Sequence, residues 1–449
     1  MIDLPENVKT IIARLHEKGF EGYAVGGCVR DALLGKQPND WDITTNASPE
    51  EMKRCFEGCR LIETGLKHGT LTVMLGKEGY EITTYRVDGT YTDHRRPDSV
   101  RFVDDLREDL SRRDFTVNAM ATADGREIVD LFGGREDLKN GILRCVGEAQ
   151  KRFDEDALRI LRALRFASTY DLEIEPETAK AALSLRATLK NVSEERIFSE
   201  LKKLLCGKGC ERILLRFPEI VFTILPELAP MLGFAQNNPH HAYDVWTHTA
   251  KTVAFAPAEP AYRLAMLFHD SGKPAAHTVD EDGVDHFKLH QLISAQIAET
   301  CLLRLKSDTA TLRQVCFLVR EHDLRIPNTE KAVKKQMIRL GSEGFLSLLP
   351  VFRADLMAQN PAMIPEKAAH IDELEKIARR LLSENACLKI SQLAVNGNDL
   401  KSVGISGKDT GEMLKRLLNE VALSGVKNDR ETLLSLAQSI KNGDGREET

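Results

Sequence analysis

No run of about 18 uncharged apolar residues occurs anywhere in the chain, so no segment reads as a membrane-spanning helix. The start, MIDLPENVKT, lacks the basic and apolar regions of a secretory signal. A cytoplasmic protein with no membrane partner is the expectation. Nine cysteines are scattered through the sequence, and the close pairs, Cys55 with Cys59 and Cys206 with Cys210, have no second pair or nearby histidines at zinc spacing. They read as reduced thiols. Internal repeats and low-complexity tracts are missing. So is a basic excess: the net charge of −6 argues against indiscriminate nucleic-acid binding and leaves room for a local basic groove. Nothing in the sequence fixes an oligomeric state, monomer or homodimer.

With 449 residues, 42% of them hydrophobic, the chain exceeds a single core and divides into domains. Up to about residue 140, helical and strand-like runs alternate: PENVKTIIARLHEKG, then YAVGG, WDITT, GTLTVML and YEITTYRV. That is an α/β pattern. Beyond it strand signals nearly vanish and amphipathic helices take over, EDALRILRALRFAS being one example. Changes of character near residues 230 and 385 give four expected domains, 1–140, 141–230, 231–385 and 386–449, the last ending in a frayed tail, NGDGREET. The class is multidomain, α/β followed by all-α.

The chemistry begins at PNDWDITTN, residues 38–46. On a strand Asp40 and Asp42 share a face while Trp41 turns into a core. Adjacent carboxylates repel, and a hard cation such as Mg²⁺ between them relieves this. Just upstream, GGCVRD supplies Gly26 and Gly27, which let backbone approach a phosphate at a strand-to-helix turn, and Arg30, which adds positive potential. A third acid suits two-metal chemistry. Glu81 in GYEITTYR is the candidate, against the simpler reading of a surface glutamate on an edge strand.

In EDALR, Asp156 and Arg159 are three apart and so share a helix face, one accepting and the other donating hydrogen bonds. Cytosine and adenine both offer an exocyclic amine beside a ring-nitrogen acceptor, whereas uracil and guanine offer a carbonyl beside an N–H. The pair therefore matches C or A and opposes U and G. A plain surface ion pair is the alternative. Residues 86–102, RVDGTYTDHRRPDSVRF, carry no periodicity and read as a mobile loop, or as a mere connector.

GGCVRD with DWD looks like the head of the polymerase-β-type nucleotidyltransferase fold. Together with ETGLKHGTLTV, RRDFTVNAM, DLFGGREDL, RFDEDALRILRALRFA and SEERIFSELKKLL, it resembles the class II tRNA nucleotidyltransferases, the CCA-adding enzymes, over residues 20–210. The resemblance implies a catalytic head and a helical neck acting on tRNA with CTP and ATP. It implies that Gly27 and Arg30 contact the triphosphate, that Asp40 and Asp42 hold Mg²⁺, and that Arg113 belongs to the nucleotide pocket. Asp114 and Asn118 would serve ribose recognition or structure, and Arg162 and Arg165 resemble further nucleotide-contacting arginines. In the family a flexible loop at 86–102 permits the switch from C to A addition. Residues 392–437 resemble the family's tRNA-holding tail, although GISGKDTG departs from it where proline is usual after the glycine.

Downstream, His248, His269, Asp270, His290, His322 and Asp355 follow one another in an order that resembles the HD phosphohydrolase superfamily. Such a set suits one or two ions, Mg²⁺ or a transition metal such as Mn, Ni or Co; a site surviving as fold without activity is the alternative. The sequence thus implies a CCA-adding tRNA nucleotidyltransferase with an HD domain at 231–385. A poly(A) polymerase with the same head, and an HD phosphohydrolase with an inactive head, are the rivals.

Overall fold

A computed structural model describes residues 1–89, 100–237, 242–361 and 364–443. It divides into two compact units, residues 1–229 with 301–307, and residues 230–300 with 308–449. In the first, α1 (Glu6–Glu17), β1 (Tyr23–Val25), α2 (Gly27–Leu33), β2 (Ile43–Thr45), α3 (Pro49–Cys55), β3 (Arg60–Ile62), β4 (Thr70–Leu75) and β5 (Glu78–Thr84) follow in order. Next come β6 (Arg86–Asp88), β7 (Val100–Phe102), α4 (Leu106–Ser111), β8 (Met120–Thr122), β9 (Val129–Asp130) and α5 (Gly134–Lys139). Seven strands form one sheet in the order β3-β4-β5-β2-β1-β8-β9.

Local chemistry sets these elements. Leu71 and Val73 alternate with more exposed residues along β4 and enter a core with Ile43, Ile82, Met52 and the buried face of α1, the period-two pattern of a half-buried strand. The start of α3 is fixed by a capping box, in which the Ser48 amide and hydroxyl both donate to Glu51 at 2.8 and 2.7 Å. Residues 86–102 differ from the structureless loop expected of them, because their ends pair as β6 and β7 with Arg86 opposite Phe102. The middle of the segment, residues 90–99, lies outside the described residues, as do residues 444–449 of the tail.

The sheet is followed by α6 (Ala149–Glu155), α7 (Leu158–Tyr170), α8 (Pro176–Leu185), α9 (Glu194–Leu205), α10 (Cys210–Arg216) and α11 (Pro218–Ile224). A short parallel pairing of residues 142–143 with 173–174 interrupts the helical run. The second unit holds α12 (Val245–Phe255), α13 (Pro260–Phe268), α14 (Lys273–Ala276), most of α15 (His290–Arg304), α16 (Thr309–Glu321), α17 (Glu330–Leu340), α18 (Ser342–Met357) and α19 (Ile364–Ser383). Three further helices, α20 (Gly397–Ser402), α21 (Lys408–Ser424) and α22 (Arg430–Lys441), enclose their own small core around Leu400, Leu417 and Leu433. Among the described residues no helix is long and apolar enough to cross a membrane.

Candidate functional site

Strands β2 and β5 pair in parallel with Ile43 opposite Ile82. Asp42 and Glu81 each stand one residue before those partners, so the register sets them side by side, with Asp40 two residues further upstream. The stretch carrying Asp40 and Asp42 leads into β2 and is not part of the strand itself, which corrects the strand placement expected from sequence. Trp41 is half-buried and packs against the sheet core. The surrounding protein desolvates Asp42 and pushes its carboxyl above the usual range even though much of the side chain remains open to solvent. Asp40 and Glu81 push it further in the same direction, while Arg113 opposes them. Asp42 thus senses both other acids, a repulsion that a divalent cation beside it would relieve.

Arg113 reaches Asp42 past Gly26. The glycine has φ +84°, and a Cβ there would lie 2.8 Å from an Arg113 guanidinium nitrogen; conformation and crowding both require glycine. Arg30, which the resemblance implies contacts the triphosphate, is enclosed by neighbouring side chains. It is only 5% exposed, donates to Asp31 at 2.9 Å and to the Tyr170 hydroxyl at 2.5 Å, and donates also to Asn118. Its guanidinium lies 4.2 Å from the Tyr170 ring centre. Arg30 thus ties α2 to α7.

Asp114 is buried. Its Oδ2 accepts from Arg162 at 2.9 and 2.6 Å, and its Oδ1 accepts from Asn118 at 2.9 Å. Burial alone would raise its pKa, but Arg162 and Asn118 hold it down to about 2. Arg165 pairs with Glu200 at 2.5 Å and stacks on Phe166, 3.9 Å from the ring centre.

The expected single helix through EDALR is broken. α6 ends at Glu155, and Asp156 is extended, with φ −138° and ψ 103°, so Asp156 and Arg159 do not share a helix face. Instead, Asp156 accepts from the Leu158 amide at 3.1 Å and from Arg196 at 3.0 Å. Arg159 donates to Glu155 at 2.7 Å and to the carbonyls of Arg152 and Arg112, each at 3.1 Å. Sequence reasoning missed Glu155, Arg196, Glu200 and Tyr170. The Glu155–Arg159 spacing of i, i+4 was a visible signal for the first; the others meet their partners only through tertiary packing.

In the second unit the HD-like residues converge from α12, the end of α13, the start of α15, the end of α16, and α18. His248 Nε2 lies 2.9 Å from Asp355 and 3.3 Å from His269 Nε2. His290 Nε2 lies 3.2 Å from His322 Nε2 and 3.3 Å from Asp270. Two sets, His248 with His269 and Asp270, and Asp270 with His290 and His322, are each close enough to share one ion. The rings are oriented from behind: Nδ1 faces the carbonyl of Ala358 (3.3 Å) in His248, Met266 (2.7 Å) in His269, Phe287 (2.8 Å) in His290 and Val319 (2.7 Å) in His322. A carbonyl only accepts, so an Nδ1–H aimed at it orients the ring and points Nε2 into the cluster. Converging lone pairs and carboxylates in a buried pocket repel unless positive charge lies among them. Burial disfavours the charged ring of His269, but Asp270 and Asp355 hold its pKa up to about 9. Lys273, 2.7 Å from Asp270, adds a further positive group. A cavity of about 1080 Å³ opens onto Asp270, His290, His322 and Asp355 and is also lined by Lys288, Arg325 and Phe352.

A poly A polymerase head domain model matches residues 22–144, one described as "Probable RNA and SrmB- binding site of polymerase A" matches 171–232, and a tRNA nucleotidyltransferase domain 2 model matches 287–437. The CCA-adding enzyme of Leuconostoc mesenteroides is 48% identical over 221 residues, about half of both chains (49% of this one and 55% of the relative). That of Oceanobacillus iheyensis is 51% identical over 411 residues, 92% of this chain and 90% of the relative. Among solved structures, the Bacillus stearothermophilus CCA-adding enzyme in complex with CTP superposes with a TM-score of 0.70 at 30% identity, covering 97% of each chain. Likeness of this extent in both sequence and fold means that the chain belongs to the family of CCA-adding enzymes.

Proposed function

We propose that the chain adds C, C and A from CTP and ATP to the 3′ end of tRNA in the cytoplasm, with the acids of the first unit as its catalytic centre. The parallel register that sets Asp42 beside Glu81 carries this reading. A divalent cation, Mg²⁺ by preference for carboxylate and phosphate oxygens, would be held by Asp40 and Asp42 and would neutralise charge on the reacting phosphate. Arg113 adds positive charge at the same place. Glu81 supplies a third carboxylate, which would accept the proton of the attacking 3′ hydroxyl. That oxygen bonds to the α-phosphorus, the bond from the α-phosphorus to the bridging oxygen breaks, and pyrophosphate leaves.

The neck chooses the base. Asp156 accepts from the exocyclic amine of C or A, and Arg159 donates to the ring nitrogen beside it, with Arg196 and Glu155 holding the two groups in place. Asp114, Asn118 and Arg162, hydrogen-bonded to one another, would complete the nucleotide pocket. Incorporation of labelled nucleotides into a tRNA transcript lacking its CCA end tests the assignment. Two C residues followed by a single A are expected; a run of A without C would favour the poly(A) polymerase reading instead.

A second reading concerns the other unit, where four inward-facing Nε2 atoms support an HD-type metal site. His248, His269, Asp270 and Asp355 would hold one ion, and Asp270, His290 and His322 the other, with Asp270 bridging. Bound ions of this kind activate water toward phosphoesters. The cavity, with Lys288 and Arg325 in its wall, gives a phosphate access to the second position. Hydrolysis of bis-p-nitrophenyl phosphate with Mg²⁺, Mn²⁺, Ni²⁺ or Co²⁺ tests this, and inactivity with all four would leave the site as fold alone.

A further inference from the structure

The residues just beyond α18 make contacts that neither nucleotide addition nor ion ligation as described uses. Asp355 presents Oδ1 to His248, while its other oxygen, Oδ2, accepts from the Gln359 amide nitrogen at 2.8 Å. The amide oxygen of Gln359 in turn accepts from Lys367 Nζ, on α19, at 2.7 Å. This chain has a fixed direction. A lysine ammonium can only donate, so it holds the oxygen of Gln359 toward itself and forces the NH₂ toward Asp355. In the same turn the carbonyl of Ala358 receives His248 Nδ1 at 3.3 Å, so one stretch of backbone orients two neighbouring ligands.

We infer that Gln359 and Lys367 are positioning residues for the ion held by His248, His269, Asp270 and Asp355, Lys367 setting the amide and Gln359 aiming the Asp355 carboxylate. The inference rests on the HD-type reading of this cluster. The fit is chemical: a carboxylate whose outer oxygen is occupied by an N–H donor offers its inner oxygen in one direction, which is what a ligand needs. Outer hydrogen-bond partners of this kind are worth roughly 10–100-fold in metal affinity. Asp270, His290 and His322, which would hold the other ion, take no hydrogen bond from Gln359 among the described residues, so that position serves as an internal reference.

Electron paramagnetic resonance of the full chain titrated with Mn²⁺ tests this, because two adjacent ions bridged by Asp270 give an exchange-coupled signal distinct from any isolated ion, including one in the head. Gln359→Glu is the decisive variant. It is isosteric and still accepts from Lys367, but it turns an acceptor toward Asp355. The Mn²⁺ concentration needed for the coupled signal should rise at least tenfold in Gln359→Glu and Gln359→Leu, and less in Lys367→Met, while an isolated-ion signal persists. CTP incorporation by the same preparations should match the parent and show that each variant is folded. Parental coupled signals in both Gln359 variants would overturn the positioning role and leave the metal site standing. Absence of a coupled signal in the parent would overturn the two-ion reading, and this inference with it.

Discussion

Replacing Asp156 with alanine probes the selection of C and A most directly. Its carboxylate has about four lone-pair positions, and the Leu158 amide and Arg196 engage it from the protein side at 3.1 and 3.0 Å, leaving capacity for a base amine. For uracil the amine is replaced by a carbonyl, so the carboxylate repels it, and Arg159 faces an N–H. Each lost or opposed hydrogen bond to a charged group costs about 1.5–3 kcal/mol. Two such contacts give at least a hundredfold preference, at about 1.4 kcal/mol per factor of ten. In Asp156→Ala, kcat/KM for CTP and ATP should fall, and the preference over UTP should shrink by at least tenfold. Arg196→Met leaves Asp156 in place but removes its anchor. With side chains 28% and 16% exposed, Arg196 and Asp156 form a partly buried pair, so this variant should lose about tenfold in selectivity while the protein stays folded. Single-turnover incorporation of CTP, ATP, UTP and GTP, each alone, reads both effects. If both variants kept the parental order and ratios, the base would have to be chosen elsewhere, most simply by the tRNA end, and the Asp156 argument would fail.

Asp42→Ala should abolish nucleotide addition while tRNA binding, measured by gel shift, stays near the parental level; a comparable addition rate would remove Asp42 from the centre. Asp114→Asn leaves Arg162 without its buried partner and should destabilise the first unit by about 3–5 kcal/mol near neutral pH, measured by urea unfolding. Because the folded-state pKa of Asp114 is depressed to about 2, its stabilising contribution is present above the ordinary carboxylate range near pH 4 and is lost as pH falls toward 2. Over that interval the gap between parent and Asp114→Asn should narrow by about 2 kcal/mol; a constant gap would show that Asp114 is not held in its charged form. Alanine at both His269 and Asp270 should eliminate metal-dependent phosphoester hydrolysis and spare CCA addition, and loss of both activities together would mean that the two sites do not act independently.

Much of this protein follows from local pattern. The period-two runs become the strands of the head sheet, the glycine pair falls at a turn needing positive φ, and the order of histidines and aspartates names the members of a buried cluster. These features are written locally because strand alternation, turn geometry and ligand chemistry each depend on a few neighbouring side chains. The register placing Glu81 beside Asp42 is different. It depends on a parallel pairing across a long connection, and a one-residue slip would have turned Glu81 to the opposite face.

Residues 149–170 mark the limit most clearly. Their hydrophobic period is helical throughout, and sequence spacing puts Asp156 and Arg159 on one face. Tertiary contacts decided otherwise, because an extended Asp156 reaches Arg196 on α9 and caps the Leu158 amide, ending α6 and starting α7. Arg30 reads from its motif as a source of positive potential, and only packing shows that Tyr170 and Asn118 engage it and that it is buried. The orientation of the four histidine rings, and the direction of the Gln359 amide, were beyond sequence altogether, since each is set by a hydrogen-bond partner brought near by folding. Sequence alone determined which chemical groups the chain possesses and the local elements that carry them. Tertiary structure decided which groups face one another, because charge, proton position and hydrogen-bond direction are properties of pairs.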